Sequence, residues 1–145
     1  GCADFDYFEL ESTHRGNHYD AFAGVDFSQY DDREGMKLVR PITKRPMQFV
    51  TEIENGNWLV FNNLTFKKRP NKVVLEVKAA NRNAVLEIRR NSLQGELIAS
   101  CPIRSTGNEW GKQAFEVRKL KKKEKLYFVF WNADKDLAIR SFMFE

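Results

Sequence analysis

The chain has 145 residues and a mass of 17.0 kDa, enough for one domain with a proper core and no staples. Its 42% apolar and 30% charged residues are ordinary for a soluble globular domain, and no run of about 18 apolar residues exists, which excludes a membrane-spanning helix. The net charge of +4 is concentrated in two runs, "KKR" at Lys67 to Arg69 and "RKLKKKEK" at Arg118 to Lys125, where no aromatic is interleaved as stacking on single-stranded nucleic acid requires.

Taken in chain order, the first stretch that reads as a strand is Asp4 to Leu10, inside "ADFDYFELES". Cys2 precedes it. With Cys101 it makes only two cysteines, and neither C-x-x-C nor a zinc spacing is present, so two free thiols are expected. A lipid anchor on Cys2 is a second reading, open only if the chain begins there. No leader opens the sequence, so any signal peptide is expected to have been removed or to lie upstream. "THRGNHYDAFAG" is irregular and holds at most a short turn, and "VRPITKRP", with two prolines, reads as an edge or a loop. From Trp58 onward short strands follow one another: Trp58 to Phe66, Val73 to Ala79, Ala84 to Arg90, Gly95 to Cys101, Ala114 to Leu120, Lys125 to Trp131 and Leu137 to Phe144. Several alternate apolar and polar residues, and "NRN", "NSLQG", "STGNEWG" and "NADKD" between them are turn chemistry. No amphipathic helix of three turns is present. The pattern predicts an all-β fold, an antiparallel two-sheet sandwich arranged as a meander or a jelly roll. The 12 phenylalanines suit such a core and leave rings for a binding face.

Catalytic chemistry is sparse. His14 and His18 are the only histidines, no serine or cysteine sits in a nucleophile context, and no glycine-rich phosphate loop follows a strand. The chain therefore reads as no enzyme. The two basic runs read as solvated turns, with polyanion binding as the alternative and no nucleic-acid partner expected. Trp110 in "TGNEWGKQAF" raises a sharper question. A tryptophan among turn residues is either folded back over the end of the sandwich or held out as a platform.

Four segments resemble the family 6 carbohydrate-binding modules, in that family's order: "HYDAFAGV" (His18 to Val25), "EIENGNWLVF" (Glu52 to Phe61), "AVLEIRRNSLQGELIASCPIRSTGNEWGKQAFEV" (Ala84 to Val117) and "KLYFVFW" (Lys125 to Trp131). The resemblance implies a non-catalytic β-sandwich over residues 13–145, of the kind appended to glycoside hydrolases. Residues 1–12 are then its own first strand or the tail of an upstream domain. It implies an extracellular setting (secreted, periplasmic or at the cell surface), with an oligo- or polysaccharide and a catalytic domain of the same polypeptide as partners.

The resemblance also implies roles for residues. Trp110 falls on the family's stacking tryptophan, and Trp58 on a core position. Trp131 and Asn132 close the same loop-bearing end, Trp131 being ligand-facing or core. The family's second aromatic wall, a tyrosine, is replaced by Glu52, and its hydrogen-bonding asparagine by Ile139. The expected carbohydrate site is therefore Trp110, Glu52, Trp131 and Asn132. A structural calcium is doubtful, because the aspartate it uses near the C-terminus is Ser141 here. Its N-terminal ligands map to Glu9 and Glu11 or to Arg15 and Asn17. The expectation is no cofactor, with Glu9 and Glu11 as weak metal candidates. The alternative function is an accessory sandwich that has lost sugar binding and packs on a catalytic domain.

Overall fold

Residues of period two bury alternate side chains only when a second layer covers them, and here two sheets cover each other. The computed structural model describes residues 18–39, 48–80, 83–134 and 136–145. Twelve strands are present among them: β1 (Tyr19–Asp20), β2 (Val25–Asp26), β3 (Asp32–Glu34), β4 (Lys37–Val39), β5 (Phe49–Thr51), β6 (Trp58–Thr65), β7 (Lys72–Lys78), β8 (Val85–Arg90), β9 (Leu97–Pro102), β10 (Trp110–Glu116), β11 (Lys123–Trp131) and β12 (Ala138–Phe144). The only helical piece among the described residues is a 3₁₀ turn, Phe27–Gln29. No described helix is long and apolar enough to cross a membrane.

The first sheet has the order β1-β6-β11-β8-β9, with β3 also pairing β6, and the second has β10-β7-β12-β5-β4, with β2 also pairing β12. All pairings are antiparallel except the short one between β1 and β6. From β6 onward the chain passes between the sheets at nearly every connection, and only β8 and β9 form a hairpin. This is the jelly-roll alternative, not the meander. At the hairpin turn Gly95 has no substitute, because a Cβ there would lie 1.7 Å from the carbonyl oxygen of Arg90.

The core joins the two inner faces through four phenylalanines. Phe61 and Phe128 come from the first sheet, Phe142 from the second, and Phe27 from the 3₁₀ turn. Centroid separations run from 4.8 Å for Phe128–Phe142 to 6.2 Å for Phe27–Phe61, mostly edge-to-face or tilted, which is the arrangement ring quadrupoles favour. Between Glu124 and Leu126 the register against β6 shifts by one residue, a bulge that puts both Phe61 and Leu64 on the inner face. Glu124, opposite Leu64, is thereby carried inward. Its buried carboxylate accepts from Arg90 Nε at 3.0 Å, from Arg90 Nη2 at 2.8 Å and from the Lys121 backbone N–H at 2.6 Å.

Two expectations are corrected. β10 covers Trp110–Glu116, not Ala114 to Leu120. Its inward positions are Gly111, Gln113 and Phe115, so the apolar rhythm is missing. The buried Gln113 is satisfied by the backbone of Arg104, whose N–H donates to Oε1 and whose carbonyl accepts from Nε2. Trp58 lies outside the core and is half-buried on the outer face of the first sheet. The expected strand Asp4 to Leu10, Cys2, and residues 40–46 of the proline-rich segment lie outside the described residues.

The core yields two predictions. Phe128→Ala removes a fully buried ring that meets three others, and should cost about 3–5 kcal/mol of stability, measured by urea titration. Burial pushes the Cys101 thiol up to about 12, so at pH 8 it stays protonated. In a Cys2→Ser background, iodoacetamide should leave the folded protein unmodified and alkylate it in urea.

Candidate carbohydrate-binding site

In β6 the run Trp58-Leu59-Val60-Phe61 is apolar on both faces. In β11 so is the run from Leu126 to Trp131. Leu59, Phe61, Leu126 and Phe128 point into the core, which turns Trp58, Val60, Tyr127, Val129 and Trp131 outward. The register sets Val129 opposite Trp58 and Tyr127 opposite Val60. Tyr127 and Trp131 thus flank Trp58 on its two diagonals, within reach of aromatic side chains. The Trp58 and Tyr127 rings are 5.6 Å apart and tilted by 58°. Val60 and Val129 are nearly fully covered although they lie outside the core cluster, so the outer face has an apolar floor of its own.

Polar groups fix the rings of this stripe. Trp131 donates its indole N–H to Glu87 Oε1 at 2.9 Å, and Trp58 donates to Glu34 Oε2 at 3.2 Å. Arg89 reaches the same Glu87 oxygen at 3.1 Å and donates to the Gly95 carbonyl at 2.9 Å. Trp131 remains 40% exposed, the one large hydrophobic side chain among the described residues that stands this far out. The turn before β6 braces it from the side. The backbone N–H of Asn132 donates to Asn55 Oδ1 at 2.8 Å, and that of Gly56 to the Phe130 carbonyl at 2.7 Å. Gly56 has φ +88°, and a Cβ there would lie 4.0 Å from Cζ3 of Trp131, so a larger residue would be strained as well as close to the ring.

Trp131 and Asn132 stand together at the end of β11. Glu52, with φ +53°, lies in the segment between β5 and β6, its carboxylate 3.7 Å from Lys37 Nζ and both side chains exposed. Trp110 opens β10 on the outer face of the second sheet, opposite Lys78. All four sit at one end of the sandwich, but the structure sets Trp110 in a different sheet from Trp131. One face of the Trp110 ring is covered: the Arg140 guanidinium carbon is 3.9 Å from its centroid, and Phe49 meets it edge-on at 5.4 Å. Arg140 is held there by Glu76 at 3.1 Å. Ile139, at the family's asparagine position, is buried in the core.

The grouping of Trp58, Tyr127, Glu87 and Arg89 with Trp131 was not among the sequence expectations. The available signal was the apolar run on both faces of antiparallel strands, where one face is ordinarily polar.

Among the described residues no group of three His, Cys, Asp or Glu side chains is placed to hold a metal. At Ser141 the neighbouring Glu76 carboxylate accepts from Arg140 and from the Ser141 hydroxyl at 3.3 Å, so it is engaged by a cation of the chain itself. Asp26, opposite Ser141 in β2, has its carboxyl pushed up by burial and by the charge of Glu76, against the pull of Arg140. Glu9 and Glu11 lie outside the described residues.

Residues 28–145 match the family model described as carbohydrate binding module (family 6). Among curated proteins there is no match. Solved structures with this fold include a family 6 module from Clostridium cellulolyticum in complex with xylose, at 24% identity and TM-score 0.77 over 87% of this chain and 98% of that one. A β-1,3-glucan-binding family 6 module from Bacillus halodurans has 17% identity and TM-score 0.79, over 89% and 99%. A family 43 arabinoxylan arabinofuranohydrolase from Bacillus subtilis, in complex with cellotetraose, has 19% identity and TM-score 0.78 over 88% of this chain but only 28% of its own. With the sandwich fold and the family match in agreement, the chain belongs to family 6 of the non-catalytic carbohydrate-binding modules.

Proposed function

We propose that this module holds a neutral glycan chain on the outer face of the first sheet, with Trp131 as the stacking platform. The observation that carries this reading is the pair of contrasting tryptophans: the Trp131 ring is exposed and anchored by Glu87, whereas one face of the Trp110 ring is taken by Arg140. A pyranose presents a flat patch of C–H groups that packs on an aromatic face, and each such contact adds about 1 kcal/mol. Asn132 and Glu52, at the same end, supply hydrogen-bonding groups to sugar hydroxyls, and Glu87 and Glu34 supply more along the stripe. Carboxylates around the rings disfavour an acidic sugar and accept well from hydroxyls. Stacking and hydrogen bonds are sufficient for the contact, so no cofactor enters it.

The likeness to one segment of a longer arabinofuranohydrolase supports a place beside a glycoside hydrolase domain, outside the cell, where such a module keeps the enzyme on its polysaccharide. A second reading keeps Trp110 as the platform. It is favoured by one observation, the buried Arg140 Nε with no hydrogen-bond partner, a donor that a ligand displacing the guanidinium from the ring would satisfy.

Two measurements test this. In calorimetric titration with neutral xylo- and gluco-oligosaccharides, Trp131→Ala should weaken binding at least tenfold, and Trp110→Ala should leave it within about threefold. Loss in Trp110→Ala with retention in Trp131→Ala would establish the second reading instead. Trp58→Ala should weaken binding too but cost only about 1–2 kcal/mol of stability, as befits a half-buried ring; a loss as large as that of Phe128→Ala would return Trp58 to a core role.

A further inference from the structure

The two lysine runs are some 50 residues apart in the chain, and the sheet brings them together. Lys123 pairs with Thr65 at the end of the β6–β11 ladder, and the N–H of Phe66 continues it by donating to the Lys122 carbonyl at 2.8 Å. The segment leaving β6 and the segment entering β11 therefore run side by side past the sheet edge. Between them lies a groove of about 240 Å³. Lys67, Lys68 and Arg69 form one lip and Lys119, Lys121 and Lys122 the other, over Phe66 and Leu120, both nearly fully buried.

No carboxylate lines this groove, and among the described residues none of its six cations has an ion-pair partner. The nearest acid in sequence, Glu124, is buried and spent on Arg90 and the Lys121 backbone. Six like charges around one concave surface repel one another, and the low-dielectric floor concentrates their field. An anion that meets several of them at once relieves this. We infer that the groove is a second binding site, for an acidic polysaccharide bearing uronate or sulfate groups.

An acidic glycan fits better than a nucleic acid. The groove offers no exposed ring for base stacking, since Phe66 is buried and the nearby Phe22 ring is occupied by the ammonium groups of Lys67 and Lys68 at 5.8 and 5.5 Å. Five of the six cations are lysines, point charges on flexible stems that follow an irregular series of sulfates or carboxylates without demanding a bidentate fork. The groove also lies at the other end of β11 from Trp131, about 26 Å away at about 3.3 Å per residue. It is a separate site, whose behaviour does not depend on the aromatic stripe.

The test uses the whole chain in affinity electrophoresis and calorimetry, at 25, 100 and 300 mM NaCl, against polygalacturonate, dextran sulfate, a neutral xylo-oligosaccharide and a 20-nucleotide single-stranded DNA. Wild type should bind one or both acidic glycans, the two arms separating carboxylate from sulfate, and binding should fall at least tenfold across the salt series. The triple change Lys68→Gln, Lys121→Gln, Lys122→Gln should lower acidic-glycan affinity at least tenfold, the corresponding Lys→Arg triple should retain it, and Trp131→Ala should leave it unchanged. Unaltered binding in the glutamine triple overturns the proposal, as does an absence of binding to both acidic glycans at 25 mM NaCl. Tighter retention of the DNA than of either glycan overturns it in favour of a nucleic-acid site.

Discussion

One antiparallel pairing, β6 against β11, supports everything else in the molecule. Its inner face supplies Phe61 and Phe128 to the four-ring core, and through Phe142 and Phe27 it holds the second sheet and the 3₁₀ turn. Its outer face carries Trp58, Tyr127 and Trp131. One end of the ladder closes on the Asn55–Asn132 contact, and the other opens into the lysine groove. The core and both surfaces are thus set by a single register, and a slip of one residue would exchange the inner rings for the outer ones.

The bulge between Glu124 and Leu126 shows how closely that register is tuned. Without the additional residue on β6, Phe61 and Leu64 could not both face inward. With it, an acidic side chain is drawn into the interior, and the local cost is met by charge-assisted hydrogen bonds rather than by apolar contact. Arg90 extends the arrangement outward through Glu96 and the Lys119 carbonyl. The loop ahead of β11, with its lysines, is thereby tied to the β8–β9 hairpin.

Much of the fold was legible because period two and turn chemistry are local signals. The strands β6, β7, β8, β9, β11 and β12 all fall within a few residues of the short segments that the sequence marks off between turns. β10 did not, because its inward positions carry Gly111 and Gln113, whose suitability depends on the Arg104 backbone across from them. The site was less legible for two physical reasons. Where both faces of a strand are apolar, sequence cannot say which is covered, so Trp58 reads as core. And whether a ring face is open depends on residues far along the chain: Arg140, thirty positions after Trp110, covers it. The resemblance to family 6 supplied the class of function, which no local pattern contained. The lysine runs read as separate turns for the same reason, since only the β6–β11 ladder makes them neighbours.

The pair Arg90 and Glu124 has a historical consequence. Arg90 changed alone to an apolar residue strands the buried Glu124 carboxylate, and losses of about 3–5 kcal/mol are usual for such a break, whereas Arg90 without Glu124 keeps Glu96 and the Lys119 carbonyl. Replacing both with well-packed apolar side chains is often neutral or better. The order of change therefore matters: loss of Glu124 first leaves a partnered guanidinium, and loss of Arg90 first leaves the carboxylate only the Lys121 N–H. Position 124, in β11, should therefore tolerate an apolar residue sooner than position 90, in β8.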